Sequence, residues 1–126
     1  MIQVEQVDFV SVPTRDVGRA VAFYRDVFGL PETDYLEGQV ETPNVTLAFW
    51  NPERDGESFV AIESGIALRV ADVKAACDEF AAVGGQLIGI EDTAVCHMGF
   101  VKDPDGNVLI LHRRYAPKRK RVDGES

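Results

Sequence analysis

Two stretches of the chain, 56 residues apart, repeat one plan, and a repeat of this length constrains the fold more than any single motif. The first runs Val7-Asp8-Phe9-Val10-Ser11-Val12-Pro13-Thr14-Arg15-Asp16-Val17 and continues into Ala20-Val21-Ala22-Phe23-Tyr24. The second runs Ser64-Gly65-Ile66-Ala67-Leu68-Arg69-Val70-Ala71-Asp72-Val73 and continues into Ala76-Cys77-Asp78-Glu79-Phe80. Each reads as a strand alternating with period 2, an Asp at a helix N-cap, and a helix with apolar residues three and four apart. Gly29 punctuates the end of one helix and Gly84-Gly85 the end of the other.

Around this repeat the remaining elements fall into place. Residues 4–13 are predicted as the first strand and residues 17–28 as a helix burying Val17, Ala20, Val21, Tyr24, Val27 and Phe28. Residues 33–50 carry two or three strands, with turns at Glu37-Gly38 and Thr42-Pro43-Asn44. Asn51 to Glu57 reads as a linker, and 58–62 as a short edge strand or part of the crossing. The second half repeats the plan: a strand at 65–70, a helix at 73–83, and strands near 86–90, 95–102 and 107–113. Asp103-Pro104-Asp105-Gly106-Asn107 joins the last two as a hairpin loop, Pro presetting one dihedral and Gly accepting a positive φ. Strand, helix, strands, twice over, implies an α+β fold with helices outside and two sheets curving round a shared interior.

Charge and cysteine content narrow the class of partner. Residues 1–112 hold 7 Lys and Arg against 19 Asp and Glu, while the last 14 residues hold 6 basic and 2 acidic. An acidic body repels nucleic acid and anionic membrane, so neither is expected as a partner. The basic run Lys118-Arg119-Lys120-Arg121 reads as a solvated end of the chain, with an acidic partner as the alternative. No apolar run is long enough to span a bilayer, and the first residues lack the pattern of a secretion signal. Cys77 and Cys96 give no disulfide framework, and Cys77 falls on the apolar helix face as a small hydrophobe. The expected location is the cytoplasm.

Two stretches carry a family resemblance: Asp16-Val17, Ala20 and Ala22-Phe23-Tyr24-Arg25-Asp26-Val27-Phe28-Gly29-Leu30, together with Phe100-Val101-Lys102-Asp103-Pro104-Asp105-Gly106-Asn107. With the internal repeat, they resemble the vicinal-oxygen-chelate superfamily of glyoxalase I, extradiol dioxygenases, fosfomycin-resistance enzymes and bleomycin-binding proteins. The resemblance spans about residues 4 to 113. It implies one domain over 1–113, built of two tandem βαβββ modules (1–52 and 58–113) that form a curved-sheet cleft; the charge pattern leaves 114–126 as a basic tail expected to be disordered. It also implies a homodimer and a small-molecule ligand.

In metal-dependent members, four side chains from the first and last strands of each module hold one divalent ion. Carried over by position, these sites are Phe9, Ala48, Gly65 and Ile110. None offers the oxygen or nitrogen donors that such an ion needs, so no metal and no cofactor are expected, and glyoxalase I chemistry is disfavoured. The arginine that grips glutathione in relatives would fall at Pro13.

What the resemblance leaves in the cleft is an apolar floor, with space at Gly65 and Ala48. Trp50, Phe9, Met98 and Phe100 supply aromatic and apolar surface, and Ser11, Arg69 and His112 supply polar groups near the rim. With Ala48, Gly65 and Ile110 these form the candidate ligand-binding set, as an apolar concavity with few polar anchors suits a small organic molecule. His97, one residue from Met98, is expected to face away. The function implied is metal-independent binding of a hydrophobic or cationic molecule, with drug sequestration as one such role. The alternative is a lyase, isomerase or dioxygenase using a rebuilt metal site or acid–base residues such as His112 with Glu63 or Glu41. Catalytic residues stay unassigned, and a third reading has the aromatic side chains simply packing a closed core.

Overall fold

Each repeat folds because its capping and periodicity agree locally. In the computed structural model, which describes residues 1–93 and 95–115, β1 (Phe9–Pro13) leads into α1 (Val17–Phe28). Asp16 caps α1 by accepting the backbone N–H of Arg19 at 3.0 Å, and Gly29 ends it in the left-handed region at φ 65°. β2 (Gln39–Glu41) and β3 (Thr46–Trp50) complete the first module, with an isolated bridge between Glu32 and Val40. A 3-10 helix, Pro52–Asp55, occupies the expected linker. The second module contains β4 (Ile66–Arg69), α2 (Val73–Ala82), β5 (Gln86–Asp92), β6 (Cys96–Lys102) and β7 (Val108–Arg114). Asp72 caps α2 as Asp16 caps α1, accepting the N–H of Ala75 at 3.0 Å. The fold is α+β, made of two βαβββ-like modules.

The strands form two separate mixed sheets, ordered β1-β3-β2 and β4-β7-β6-β5. In each, the strand before the helix pairs in parallel with the last strand of its module, β1 with β3 and β4 with β7. Alternation then sorts the side chains. Val12, Val40, Leu47, Val101, Leu109 and Leu111 point to the helices and are buried with Tyr24, Cys77 and Phe80 in one continuous core. The helices meet each other there: Phe80 stacks on Phe28 at 6.0 Å between ring centroids and stands edge-on to Phe23 at 6.2 Å. The opposite face of each sheet carries no helix, so α1 and α2 lie outside whatever cleft the free faces make.

The hairpin loop between β6 and β7 ties the modules together. Asp103 and Asn107 are buried. Asn107 donates its amide to Pro13 O at 2.8 Å and to Asp103 Oδ2 at 2.9 Å, and accepts the N–H of Ile62 at 2.8 Å. Asp105 accepts from Thr14 Oγ1 at 2.6 Å, from the Arg15 N–H at 3.0 Å and from Arg19 at 2.7 Å. The loop is thus a hairpin, as its Pro and Gly predict, and also the clamp that fixes module two on the start of α1.

Two expectations are corrected, and one left open, at residues 58–62, is resolved. The first strand begins at Phe9 rather than residue 4, and residues 4–8 are exposed and outside any strand. Residues 58–62 form no strand, although Ile62 O accepts the N–H of Val108 at 2.8 Å. β7 continues through Arg114, and Tyr115 N–H donates to Val95 O, so the chain joins the sheet up to that point. The basic run 118–121 lies outside the described residues. No helix among the described residues is long and apolar enough to cross a membrane.

Candidate functional site

The free face of the first sheet is laid out in rows by strand register. Phe9 lies beside Thr46, which lies beside Glu41; Ser11 beside Ala48, beside Gln39; and Pro13 beside Trp50. Phe9 remains 57% exposed, although it is a large aromatic residue. The free face of the second sheet is laid out likewise: Ala67 beside Ile110, beside Phe100, then Arg69 beside His112, beside Met98. Alternation therefore gathers Phe9, Ser11, Ala48 and Trp50 on one surface, and Arg69, Met98, Phe100, Ile110 and His112 on another. His97 turns from that second surface, as expected, and meets Asp92 at 3.2 Å and the Tyr115 ring at 4.7 Å.

Within one chain the two surfaces do not meet. The helices touch across the interior, so each set looks out from its own side of the molecule. What the chain encloses between its modules is a different concavity. It is a groove of about 840 Å³ along the unpaired edge of β4, lined by Phe28, Leu30, Val45, Leu47, Ile66 and Leu68, with Arg69 and His112 at its rim. Only those last two belong to the set chosen from sequence.

The expected space at Gly65 is absent. A Cβ there would lie 2.8 Å from Ile110 Cδ1, so Ile110 already fills it, and the φ of +96° favours glycine for its own sake. The floor of the first sheet is also more polar than expected, because Thr46, Gln39 and Glu41 share it with Ser11. Glu41 is held from two sides: Thr33 Oγ1 donates to Oε1 at 2.5 Å and Thr46 Oγ1 to Oε2 at 2.6 Å. Those two hydroxyls, Thr33 first, hold its carboxyl below the usual glutamate range. Glu41 is therefore poorly suited to act as a general acid at neutral pH. It sits on the first sheet while His112 sits on the second, so the pair does not come together in one chain; Glu63 is exposed ahead of β4. Strand alternation carried the signal for Gln39, Glu41 and Thr46, since all three flank buried Val40 and Leu47. Nothing local points to Thr33.

The donor chemistry at Phe9, Ala48, Gly65 and Ile110 does not fit a metal ion, since hydrocarbon side chains and a glycine have no lone pair to give. Among the described residues no three His, Cys, Asp or Glu side chains gather as a metal-holding group. Several polar groups thus face solvent on one sheet, and a cation and an imidazole on the other, each beside aromatic surface.

The sequence profile of the Glyoxalase/Bleomycin resistance protein/Dioxygenase superfamily matches residues 6–111. No curated protein matches the sequence. Among solved structures, the chain is similar to TnmS3, an antibiotic-binding protein from Streptomyces sp. CB03234, at 24% identity and TM-score 0.75, covering 90% of this chain and 99% of that one. A glyoxalase/bleomycin resistance protein/dioxygenase family enzyme from Burkholderia phytofirmans PsJN gives 21% and 0.73, covering 86% and 98%. Lactoylglutathione lyase from Agrobacterium tumefaciens gives 20% and 0.71, covering 87% and 94%. At these identities the likeness speaks for the architecture.

Proposed function

The chain belongs to the Glyoxalase/Bleomycin resistance protein/Dioxygenase superfamily, and on that premise we propose that it is a metal-independent binding protein for a small organic molecule, with sequestration of a drug-like compound as its role. The carrying observation is the pair of free sheet faces. Each presents aromatic or apolar side chains and a few polar ones, and the positions to which the family resemblance carries the metal ligands hold Phe9, Ala48, Gly65 and Ile110. An antibiotic-binding protein of the same architecture is compatible with this reading, and a lyase shares that architecture too, so the missing donors rather than the likeness favour binding.

Each face is half a cleft. A homodimer completes it when the first sheet of one protomer stands beside the second sheet of its partner, along the open edges of β1 and β4. Two free cysteines, Cys77 buried and Cys96 partly so, suit the reducing cytoplasm where we place the protein.

Trp50 is the only tryptophan, so its emission reports directly on the cleft. A panel of aromatic and cationic compounds should quench it and raise the melting temperature, because a ligand bound only to the folded state stabilises that state. Trp50→Ala should remove that stabilisation while unfolding stays cooperative. Wild-type affinity in this variant sinks the stacking role. Stoichiometric, tightly held iron, manganese, nickel or zinc in protein purified without chelator would overturn metal independence.

A further inference from the structure

The first sheet's free face holds one charged group that neither strand pairing nor the core requires. Glu41 ends the row Phe9, Thr46, Glu41, while Ser11, Ala48 and Gln39 form the next row and Trp50 stands in the third. Neighbouring strands are about 4.8 Å apart, and same-face residues along a strand about 6.8 Å apart. Ala48, a single methyl, therefore lies in the middle of a frame about 10–14 Å across. Aromatic rings stand at two of its borders and a carboxylate at a third.

The carboxylate is held in place by its neighbours. A glutamate at a sheet surface is usually free to rotate, but half-buried Glu41 has each oxygen fixed by a hydroxyl from a different segment, Thr33 on one side and Thr46 on the other. Thr33 is itself anchored by its backbone N–H, which donates to Gln39 O at 3.1 Å. A carboxylate has about four acceptor positions, and the two threonines take two, leaving one on each oxygen. Glu41 makes no ion pair with Lys or Arg among the described residues.

We propose that Glu41 is the charge-recognising residue of this cleft and that the molecule it takes is an aromatic amine or similar organic cation. The ammonium would sit on the Glu41 oxygens and the ring over Ala48, between Phe9 and Trp50. This rests on the reading of the face as a ligand cleft. A charge-assisted hydrogen bond is about twice as strong as a neutral one, and Trp and Phe faces attract cations in addition. The strongly acidic body also draws cations toward it before contact. Arg69 and His112 on the second sheet supply the opposing pull, toward a carboxylate, and the test must separate the two.

Three probes of one shape do so: 3-phenylpropylamine, its neutral isostere butylbenzene and 3-phenylpropionate, each titrated by Trp50 quenching and calorimetry. The amine should bind about tenfold or more tighter than butylbenzene, and its affinity should fall as salt rises. Glu41→Gln should bring the amine down to the level of butylbenzene and change butylbenzene itself by no more than about twofold. Thr33→Val leaves the charge but frees its orientation and should give a smaller loss of amine affinity. The salt dependence of the unmodified protein serves even if a variant folds poorly. Equal affinity for amine and butylbenzene overturns the proposal while the apolar cleft survives. Tighter binding of 3-phenylpropionate overturns it in favour of Arg69 and His112. No quenching by any of the three overturns the cleft reading itself, and the proposal with it.

Discussion

Tyr24 carries its hydroxyl into the fully buried interior and donates it to Asp103 Oδ2 at 2.8 Å, the oxygen that Asn107 also reaches. Burial first, and then the Asp103 charge and hydrogen bond, push the phenol far above its ordinary value near 10. Above about pH 10 a tyrosine of the unfolded chain gives up its proton while folded Tyr24 keeps it, so the unfolded state binds fewer protons and stability falls as pH rises. The loss contributed by this one residue is about 1.4 kcal/mol per pH unit. Tyr24→Phe should lose about 1–3 kcal/mol at pH 8, since Asp103 is left short of a buried partner. It should also lack that alkaline limb. Urea unfolding of both proteins from about pH 8 to about pH 11 reads the gap, which should narrow toward the alkaline end. A gap constant across the range would show that Tyr24 does not hold its proton in this way.

α2 can sit close on the second sheet only because β6 has no side chain where the helix crosses it. A Cβ at Gly99 would lie 2.2 Å from Cys77 Sγ and 3.4 Å from Val73 Cγ1, so the fully buried Cys77 would have to shift to admit it. Gly99→Ala should therefore cost about 1–3 kcal/mol by overpacking. Cys77→Ala, which empties the contested space, should recover part of that cost in the double variant. Thermal unfolding of the four proteins gives the coupling, and simple additivity of the two changes would refute the contact. The same elements show what was legible in the chain. α1 runs 17–28 and α2 ends within a residue of expectation, because caps, periodicity and terminal glycines are local and agree. β1 came out five residues shorter than its apolar pattern, because a strand extends only as far as its partner, and β3 offers Thr46 to Trp50 and no more. The family resemblance placed Phe9, Met98 and Ile110 on the free faces, and strand alternation extended those faces to Trp50 and His112. Neither could show that Ile110 fills the space at Gly65, or that Thr33 reaches Glu41, since both contacts join segments far apart in the chain or out of register.

At the scale of the whole molecule, unsatisfied surfaces converge on one arrangement. β1 and β4 each pair on one side only, and an open edge is a template for another strand. Residues Ile2, Val4 and Val7 are exposed ahead of β1, and the apolar groove follows β4. A second copy of the chain would cover these edges and set the two free sheet faces side by side. The protein should then be a dimer at micromolar concentration, with a melting temperature that rises with concentration, since association stabilises the folded state by mass action. Leu68→Asp and Val45→Asp place a charge on either side of the groove, where dimerisation would bury it without a partner. Sedimentation should report monomers for both. Ligand-dependent quenching of Trp50 should be lost with the dimer, even though neither substitution touches Trp50 or Glu41. If either variant keeps the cooperative unfolding of a folded chain, sediments as a monomer and still binds with wild-type affinity, each half-cleft is sufficient alone and the shared cleft is wrong. If the unmodified protein is a monomer at every concentration, the exposed Phe9 and the open edges need another occupant, and the ligand must be sought in the groove along β4.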